Sequence, residues 1–257
     1  MSSLISINSK FMSISPNDLV KYINNSKYTK GVEAYIDFRN KEEIEYLDKL
    51  VIELKKNNLI LQIHGEVYLD LDKQFEYIKL LDKYSLYLGY PIVFTLHSIY
   101  NKDKQESIEE TYNYISKLIN NNLIVCMENL NNREGRIRLH TDDIESIILG
   151  NDNIYFTYDI GHELIDTNRI IGVNDNMLEK IRNVHIHSIS NGDDHIPIYK
   201  DDIYIDEIVN YLKFLNKNYK YNMVYEYGID YCRGNSLDEK IVDYLESMDY
   251  ITSLVED

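Results

Sequence analysis

Short apolar runs alternate with longer amphipathic stretches along most of the chain. The runs are rich in β-branched and aromatic residues, which favour buried strands. Eight of them occur, at residues 4–7, 31–38, 58–64, 91–97, 122–128, 153–159, 183–188 and 222–226. The stretches between most of these runs repeat apolar residues with the 3.6-residue period of a helix. In residues 40–57 that period is carried by Ile44, Leu47, Leu50, Val51 and Leu54.

Eight strands with helical returns predict an α/β fold, a (β/α)8 TIM barrel, formed by a single domain over residues 1–257. Such a barrel needs about 250 residues, and the chain has 257. No Gly/Ser/Pro-rich linker divides the sequence. An open doubly wound sheet is the alternative, but no G-x-G-x-x-G turn follows the first strand. Ser15 followed by Pro16 predicts the start of the first helix.

The net charge of the chain indicates which classes of binding partner are unfavourable. A formal net charge of −16 argues against nucleic acid and anionic membranes, because affinity for a polyanion comes mainly from Lys and Arg. The apolar runs are much shorter than the roughly 18 residues of a membrane span. The N-terminal MSSLISINSK lacks the basic and long apolar regions of a secretory signal. With only two cysteines, Cys126 and Cys232, these features predict a cytoplasmic protein.

The predicted strands from the third to the eighth all end on or near a residue that can bind a metal ion. These residues are His64, His97, Glu128, Asp159, His185 and Glu226. In a (β/α)8 barrel the carboxyl ends of the strands converge on one mouth, where active sites are built. His162 lies three residues beyond the sixth strand end, and Asp193 and His195 follow in the loop after the seventh strand.

Each of these residues taken alone fits a structural role, since a histidine at a strand end is usually just hydrogen-bonded. Together they are more specific, because six of the seven histidines, all but His140, lie at or just past strand ends. Mixed imidazole and carboxylate ligands suit Zn²⁺, Mn²⁺, Co²⁺ or Fe²⁺. Nine candidates exceed the needs of one ion, so up to three ions are expected, with Zn²⁺ first. His187 and Tyr68 are candidate substrate-binding residues, and His187 lines the mouth whether or not it binds metal.

The strand-end residues and their neighbours resemble a known group of proteins. The chain resembles the xylose isomerase-like TIM-barrel superfamily, or AP endonuclease family 2. This superfamily includes sugar-phosphate isomerases and epimerases and the endonuclease IV group. The resemblance covers roughly residues 3–230. It is carried by GVEAY (31–35), His64, His97, HGEVYLDL (64–71), MEN (127–129), YDIGH (158–162), VHIHS (184–188), DDHIP (193–197) and YEYG (225–228).

The resemblance implies a ligand set that differs between the two branches. In the isomerase branch, one ion is held by Glu128, Asp159, His185 and Glu226, and the two glutamates also move protons as acid and base. In the endonuclease branch, the same four residues hold the second of three zinc ions. The first ion then takes His64, His97 and Glu128, and the third takes His162, Asp193 and His195.

Several positions depart from the endonuclease pattern. That group has His-Pro-Gly after the fourth strand, where this chain has His97-Ser98-Ile99. Tyr199 replaces the glycine of His-x-x-Leu-Gly, and Ser188 replaces an aspartate after the seventh strand. The segment DFRNKEE is too short to resemble a DNA-penetrating loop. With the acidic charge, these departures argue against DNA cleavage and leave the metal chemistry in place.

Four functions fit the sequence. The first is a zinc-dependent phosphodiester hydrolase acting on a small phosphorylated sugar or nucleotide-like substrate. The second is a sugar or sugar-phosphate isomerase or epimerase with one divalent ion. The third is an apurinic-site DNA endonuclease, and the fourth is a ligand-binding barrel without catalysis. The sequence leaves open the substrate, the number of ions and the oligomeric state.

Overall fold

Eight parallel strands close into a barrel in the structure, a computed structural model that describes residues 2–65, 71–99, 103–119, 122–131 and 140–256. The barrel strands are β1 (Ser2–Ile7), β2 (Thr29–Tyr35), β3 (Ile60–Gly65), β4 (Ile92–Leu96), β5 (Leu123–Glu128), β6 (Ile154–Asp159), β7 (Ile181–Ile186) and β10 (Asn222–Tyr225). They pair in the order β1-β10-β7-β6-β5-β4-β3-β2. Two further strands, β8 (Ser188–Ser190) and β9 (Asp193–Ile196), form an antiparallel hairpin outside the barrel. The predicted (β/α)8 barrel is therefore confirmed.

Helices connect the strands and cover the outside of the barrel. They are α1 (Pro16–Asn25), α2 (Lys41–Lys56), α3 (Leu71–Leu88), α4 (Lys104–Ile115), α5 (Thr141–Leu149), α6 (Ile160–Thr167), α7 (Asp175–Leu178), α8 (Ile205–Asn218) and α9 (Leu237–Glu256). Short 3₁₀ helices span Ser9–Ser13 and Ile229–Tyr231. The Ser15 side chain caps α1 as predicted, accepting a hydrogen bond from the Asp18 amide. None of the helices in the described part of the chain has both the length and the apolar character of a membrane span.

The interior of the barrel is polar just below the ends of the strands. Because side chains alternate along a strand, residues two positions before the inward-facing residues of the mouth also point inward. We call this layer the polar floor; it consists of Glu33, Gln62, Thr95, Thr157 and Asn183, all buried. Thr95 Oγ1 lies 2.8 Å from Thr157 Oγ1, and Asn183 Nδ2 donates to Glu33 Oε2 at 2.8 Å. The mouth therefore lies above a layer of buried polar side chains, four of which are joined in hydrogen-bonded pairs.

Helix α9 covers the seam between β1 and β10. Tyr244 of α9 is fully buried, and its hydroxyl contacts the carbonyl oxygens of Ser6 and Tyr225 and accepts the Tyr227 amide proton. About two helical turns further along, Thr252 Oγ1 lies 3.1 Å from Ser3 Oγ and 2.9 Å from the Tyr225 hydroxyl. The last helix thus joins the first strand to the last through side-chain hydrogen bonds.

Candidate metal centre at the barrel mouth

The predicted strand-end residues converge on a cavity at the mouth of the barrel. The cavity has a volume of about 220 Å³. It is lined by Tyr35, His64, His97, Glu128, Leu130, His162, Asp194, His195 and Glu226. None of these lining residues, in the part of the chain that the structure describes, is a lysine or an arginine. The mouth is therefore lined mainly by imidazoles and carboxylates.

Glu128, the last residue of β5, lies at the centre of the site. Its Oε2 atom is 3.0 Å from His64 Nε2 and 2.9 Å from His97 Nε2, and its Oε1 atom is 2.7 Å from His185 Nδ1. The side chain is fully buried, whereas that of His97 is 24% exposed. Burial alone would raise the pKa of Glu128, but the imidazoles of His185 and His64 outweigh it and hold the pKa well below its usual range. Glu128 is therefore an anion shared by three imidazoles.

Asp159 is held in place by both of its neighbouring elements. It ends β6 and is the N-cap of α6, and its Oδ1 atom accepts the His162 amide proton at 2.6 Å. Asn129 of the MEN segment donates to the Asp159 carbonyl at 2.9 Å and accepts the Asp159 amide proton at 2.8 Å. The other carboxylate oxygen, Oδ2, is buried and makes no hydrogen bond within the described residues. That oxygen is left available for a ligand.

Four residues form a group with the spacing of a metal site: Glu128, Asp159, His185 and Glu226, whose donor atoms lie within 4.8 Å of one another. His185 Nδ1 lies 2.7 Å from Glu128 Oε1, 3.0 Å from Glu226 Oε2 and 3.7 Å from Asp159 Oδ2. Among the described atoms, Asp159 Oδ2 and Glu226 Oε2 are buried and contact imidazole nitrogens, at 3.3 Å from His162 and 3.0 Å from His185, without the geometry of a hydrogen bond. Buried carboxylate oxygens in this state are costly unless a cation satisfies them. Three carboxylates and one imidazole fit a divalent ion.

A second group contains three imidazoles, those of His162, His187 and His195, which also lie within 4.8 Å of one another. His162 Nδ1 lies 2.9 Å from the Asn129 carbonyl oxygen, and His195 Nδ1 lies 2.9 Å from Asp194 Oδ1. His187 Nδ1 accepts the His195 amide proton at 3.0 Å, and its Nε2 atom is buried without a hydrogen bond inside the described region. This group could hold a further ion.

The structure differs from the sequence prediction at Asp193. This residue is exposed and lies outside the three-imidazole group, whereas Asp194 is buried and accepts a hydrogen bond from Asn131 Nδ2 at 2.9 Å. Asp193 pairs with Ser190 beside the turn, whereas Asp194 and His195 both line the cavity, because the positive φ of 60° at His195 interrupts the alternation of the strand. The hairpin turns at Asn191 and Gly192, both with positive φ, and its register turns Asp194 inward. His187 occupies the place that was expected for Asp193.

Sequence reasoning also missed Glu33, a member of the polar floor. Its Oε1 atom lies 2.8 Å from His185 Nε2, on the side of the imidazole opposite to Glu128. The signal was present in the GVEAY segment, because a charged residue inside an apolar strand needs a partner. Tyr35, two residues later, lines the mouth and lies 5.1 Å from the His64 ring. Tyr68 lies outside the residues that the structure describes.

The histidines of the site differ in their affinity for protons. Burial lowers the pKa of His185, but the carboxylates of Glu33, Glu226 and Glu128 outweigh it and raise the pKa well above its usual value. The pKa of His195 is likewise raised well above the usual value, because its contacts with Asp194 and Glu226 outweigh burial. Protons therefore compete with a cation for these imidazoles.

The pKa of His162 shifts in the opposite direction. Burial is the largest cause and lowers it, and the nearby Asp159 only partly compensates. His162 is therefore neutral at pH 7, which is the form that binds metal ions.

No protein-family model matches the chain. One similar protein is the uncharacterized protein MJ1188 of Methanocaldococcus jannaschii, which is 25% identical over 159 residues. This match covers 58% of the present chain, and the chain spans 56% of the length of that relative.

Several solved structures share the fold over nearly the whole chain. D-psicose 3-epimerase from Clostridium cellulolyticum H10, solved with D-tagatose, has a TM-score of 0.69 at 13% identity, covering 98% of this chain and 99% of that one. A xylose isomerase domain protein from Alicyclobacillus acidocaldarius has a TM-score of 0.66 at 13% identity, covering all of both chains. For 3-keto-D-glucoside 4-epimerase from E. coli the TM-score is 0.64 at 14% identity, with coverage of 98% and 99%. The chain therefore has the fold of the xylose isomerase-like TIM barrels.

Proposed function

We propose that the protein is a divalent-metal-dependent isomerase or epimerase that acts on a sugar or a related polyhydroxy carbonyl compound. The observation that carries this proposal is the buried group of three carboxylates and one imidazole at the cavity of the barrel mouth. Two of the structural neighbours are sugar epimerases, which supports this function over the phosphodiester hydrolase that the sequence placed first.

In this proposal Glu128, Asp159, His185 and Glu226 hold one divalent ion. When bound, the ion polarises a carbonyl or hydroxyl oxygen of the substrate and acidifies the adjacent C–H bond. The identity of the ion is also part of the proposal. The mixed carboxylate and imidazole set suits Mn²⁺, Co²⁺, Fe²⁺ or Zn²⁺.

The two glutamates differ in a way that suits acid–base chemistry. The Glu226 side chain is 14% exposed, and its Oε2 atom lies 3.6 Å from His195 Nε2. Glu226 would therefore take the proton from the substrate carbon, and His195 would stabilise the carboxylate. Glu128 is fully buried, and His64 and His97 hold its Oε2 atom in place. In an epimerase Glu128 would deliver a proton to the opposite face, a proton passed to it by the imidazolium of His64, 3.0 Å from its Oε2 atom, while Glu226 would release the proton it took to solvent.

The test is solvent exchange at the reacting carbon. Protein purified without chelator is analysed for bound metal, reconstituted with Mn²⁺, Co²⁺ or Zn²⁺, and incubated in D₂O with a panel of ketopentoses and ketohexoses. We expect about one bound ion per chain and incorporation of deuterium next to the carbonyl group of at least one sugar. Glu226→Gln should abolish the exchange, and Asp193→Ala, an exposed control in the same region, should not. No exchange with any sugar and any of the three ions would refute the proposal.

A second candidate function rests on the three-imidazole group. If His162, His187 and His195 bind a further ion, and His64, His97 and Glu128 another, the site becomes a zinc-dependent phosphodiester hydrolase. This reading predicts three zinc ions per chain and hydrolysis of bis(p-nitrophenyl) phosphate. One ion per chain without phosphodiester hydrolysis would exclude it. Nicking of an abasic DNA duplex at low salt tests the endonuclease alternative.

A further inference from the structure

Glu33 is a buried carboxylate that the proposed chemistry does not use. It lies in the polar floor, one layer below the mouth, and is fully buried. A carboxylate is costly to bury unless charged or polar groups compensate it. Two such groups are present. Asn183 Nδ2 donates to Glu33 Oε2 at 2.8 Å, and His185 Nε2 lies 2.8 Å from Glu33 Oε1.

The contact with His185 determines which imidazole nitrogen faces the metal group. His185 Nδ1 faces the mouth, 2.7 Å from Glu128 Oε1 and 3.0 Å from Glu226 Oε2. His185 Nε2 faces the polar floor. An imidazole binds a metal ion through one nitrogen and usually donates its other N–H to a carboxylate or a carbonyl group. The geometry therefore leaves Nδ1 to bind the ion and Nε2 to donate a hydrogen bond.

Glu33 is the group that can accept the Nε2 proton. Asn183 Nδ2 lies 3.1 Å from the same nitrogen, but an amide NH₂ group is a donor and cannot accept a proton. Glu33 Oε1 makes no hydrogen bond within the described residues and lies 2.8 Å from His185 Nε2, so it is available for the His185 N–H. Glu33 is also absent from all the described groups with metal-ligand spacing. Its role is therefore directed at His185 and not at the ion.

We propose that Glu33 is a positioning residue of the metal centre, which holds the Nε2 proton of His185 and thereby directs the Nδ1 lone pair to the ion. The inference rests on the proposed function, because it requires an ion bound by Glu128, Asp159, His185 and Glu226. The carboxylate increases the electron density of the imidazole and fixes its tautomer and ring orientation. Removal of Glu33 should weaken metal binding although Glu33 does not touch the ion.

The first test is metal affinity, measured by competition with a chromophoric chelator for Zn²⁺ and Co²⁺. Glu33→Leu should lower the affinity about 10- to 100-fold, which is the usual effect of losing such a partner. Glu33→Gln should lower it less, because its amide oxygen still accepts the N–H. Gln62→Leu is the matched control: Gln62 is in the same buried layer, and its side chain makes no hydrogen bond within the described residues. Its affinity should stay within about twofold of wild type.

The second test locates the proton. In zinc-loaded protein with ¹⁵N-labelled histidine, the His185 Nε2–H signal should be shifted downfield and exchange slowly with water. In Glu33→Gln it should move upfield while the zinc remains bound. Should Glu33→Leu not fold, as judged by circular dichroism, this comparison and the affinity of Glu33→Gln decide the question.

The outcomes separate this inference from the proposed function. Wild-type protein that binds none of Zn²⁺, Co²⁺, Mn²⁺ and Fe²⁺ refutes both. Wild-type protein that binds an ion, with Glu33→Leu or Glu33→Gln binding it equally well and with an unchanged Nε2–H signal, refutes the role of Glu33 alone. An equal loss of affinity in Gln62→Leu would also overturn it, because the effect would then belong to the whole polar floor.

Discussion

Gly161, in the YDIGH segment, has no room for a side chain. A Cβ atom at this position would lie 2.0 Å from His187 Cε1 and 2.2 Å from His187 Nδ1. His187 is fully buried, its ring stacks on that of His195 at 4.4 Å, and its Nδ1 atom accepts the His195 amide proton. The glycine thus allows helix α6 to approach the imidazole directly. Gly161→Ala should therefore displace His187 and destabilise the protein.

The size of the effect follows from this geometry. To restore an ordinary contact of about 3.4 Å, the ring or the helix must move by roughly 1.4 Å. A shift of that size breaks the hydrogen bond between the His195 amide and His187 Nδ1. Overpacking of a buried site typically costs about 1–3 kcal/mol. We therefore expect Gly161→Ala to lower the free energy of unfolding by about 2 kcal/mol.

A double-mutant cycle tests the cause as well as the size. In the background His187→Ala the obstacle is gone, and alanine is a better helix former than glycine by up to about 1 kcal/mol. The effect of Gly161→Ala should therefore change from destabilising to neutral or stabilising. Unfolding is followed by circular dichroism in urea, with a chelator present in all four proteins. Equal destabilisation in both backgrounds would show that the contact with His187 is not the reason for the glycine.

Three further predictions concern the site itself. Glu128→Gln should lower metal affinity by at least about 100-fold with the fold intact, because the ion loses a charged ligand; metal analysis that finds wild-type content would contradict this. Asp194→Ala should lower the free energy of unfolding by about 1–3 kcal/mol, because a buried hydrogen-bonded carboxylate is lost. The matched variant Asp193→Ala, at an exposed position, should change it by less than about 0.5 kcal/mol. Equal effects of the two substitutions would argue against the inward position of Asp194. Metal binding at pH 7 should release protons. Burial lowers the pKa of His185 and of His195, but nearby carboxylates outweigh it and raise both pKa values well above the usual value, so both imidazoles hold a proton that competes with the ion. Calorimetry in buffers of different ionisation enthalpy measures this release, which should fall as the pH is raised, and a release independent of pH would contradict the reasoning.

The fold could be predicted from the sequence because the barrel repeats one simple pattern. Each apolar run of the sequence overlaps a barrel strand, and the strand-end residues follow from that assignment. The convergence of Glu128, Asp159, His185 and Glu226 needed only the rule that parallel strands of a barrel end at one mouth. These residues could be found because both their position and their chemistry are encoded locally.

Which of Asp193 and Asp194 faces the barrel mouth could not be predicted in the same way. It depends on a hairpin whose register is set by positive φ angles at Asn191 and Gly192, and a shift by one residue reverses which side chain faces inward. Glu33 was missed for a different reason. Its partner His185 lies about 150 positions away, and the two meet only because the barrel closes. This contact lies one layer below the strand ends, outside the residues that the barrel rule identifies.

The seam covered by α9 has a consequence for the order in which the chain folds. The β1–β10 pairing joins Ser2 to Asn222, so this contact spans most of the sequence, and such non-local contacts form slowly. During synthesis, the edges of β1 and β7 stay open until β10 has left the ribosome, and open edges expose a nascent chain to aggregation. Glu226 directly follows β10. The last strand to be made therefore closes the barrel and completes the metal centre in the same step.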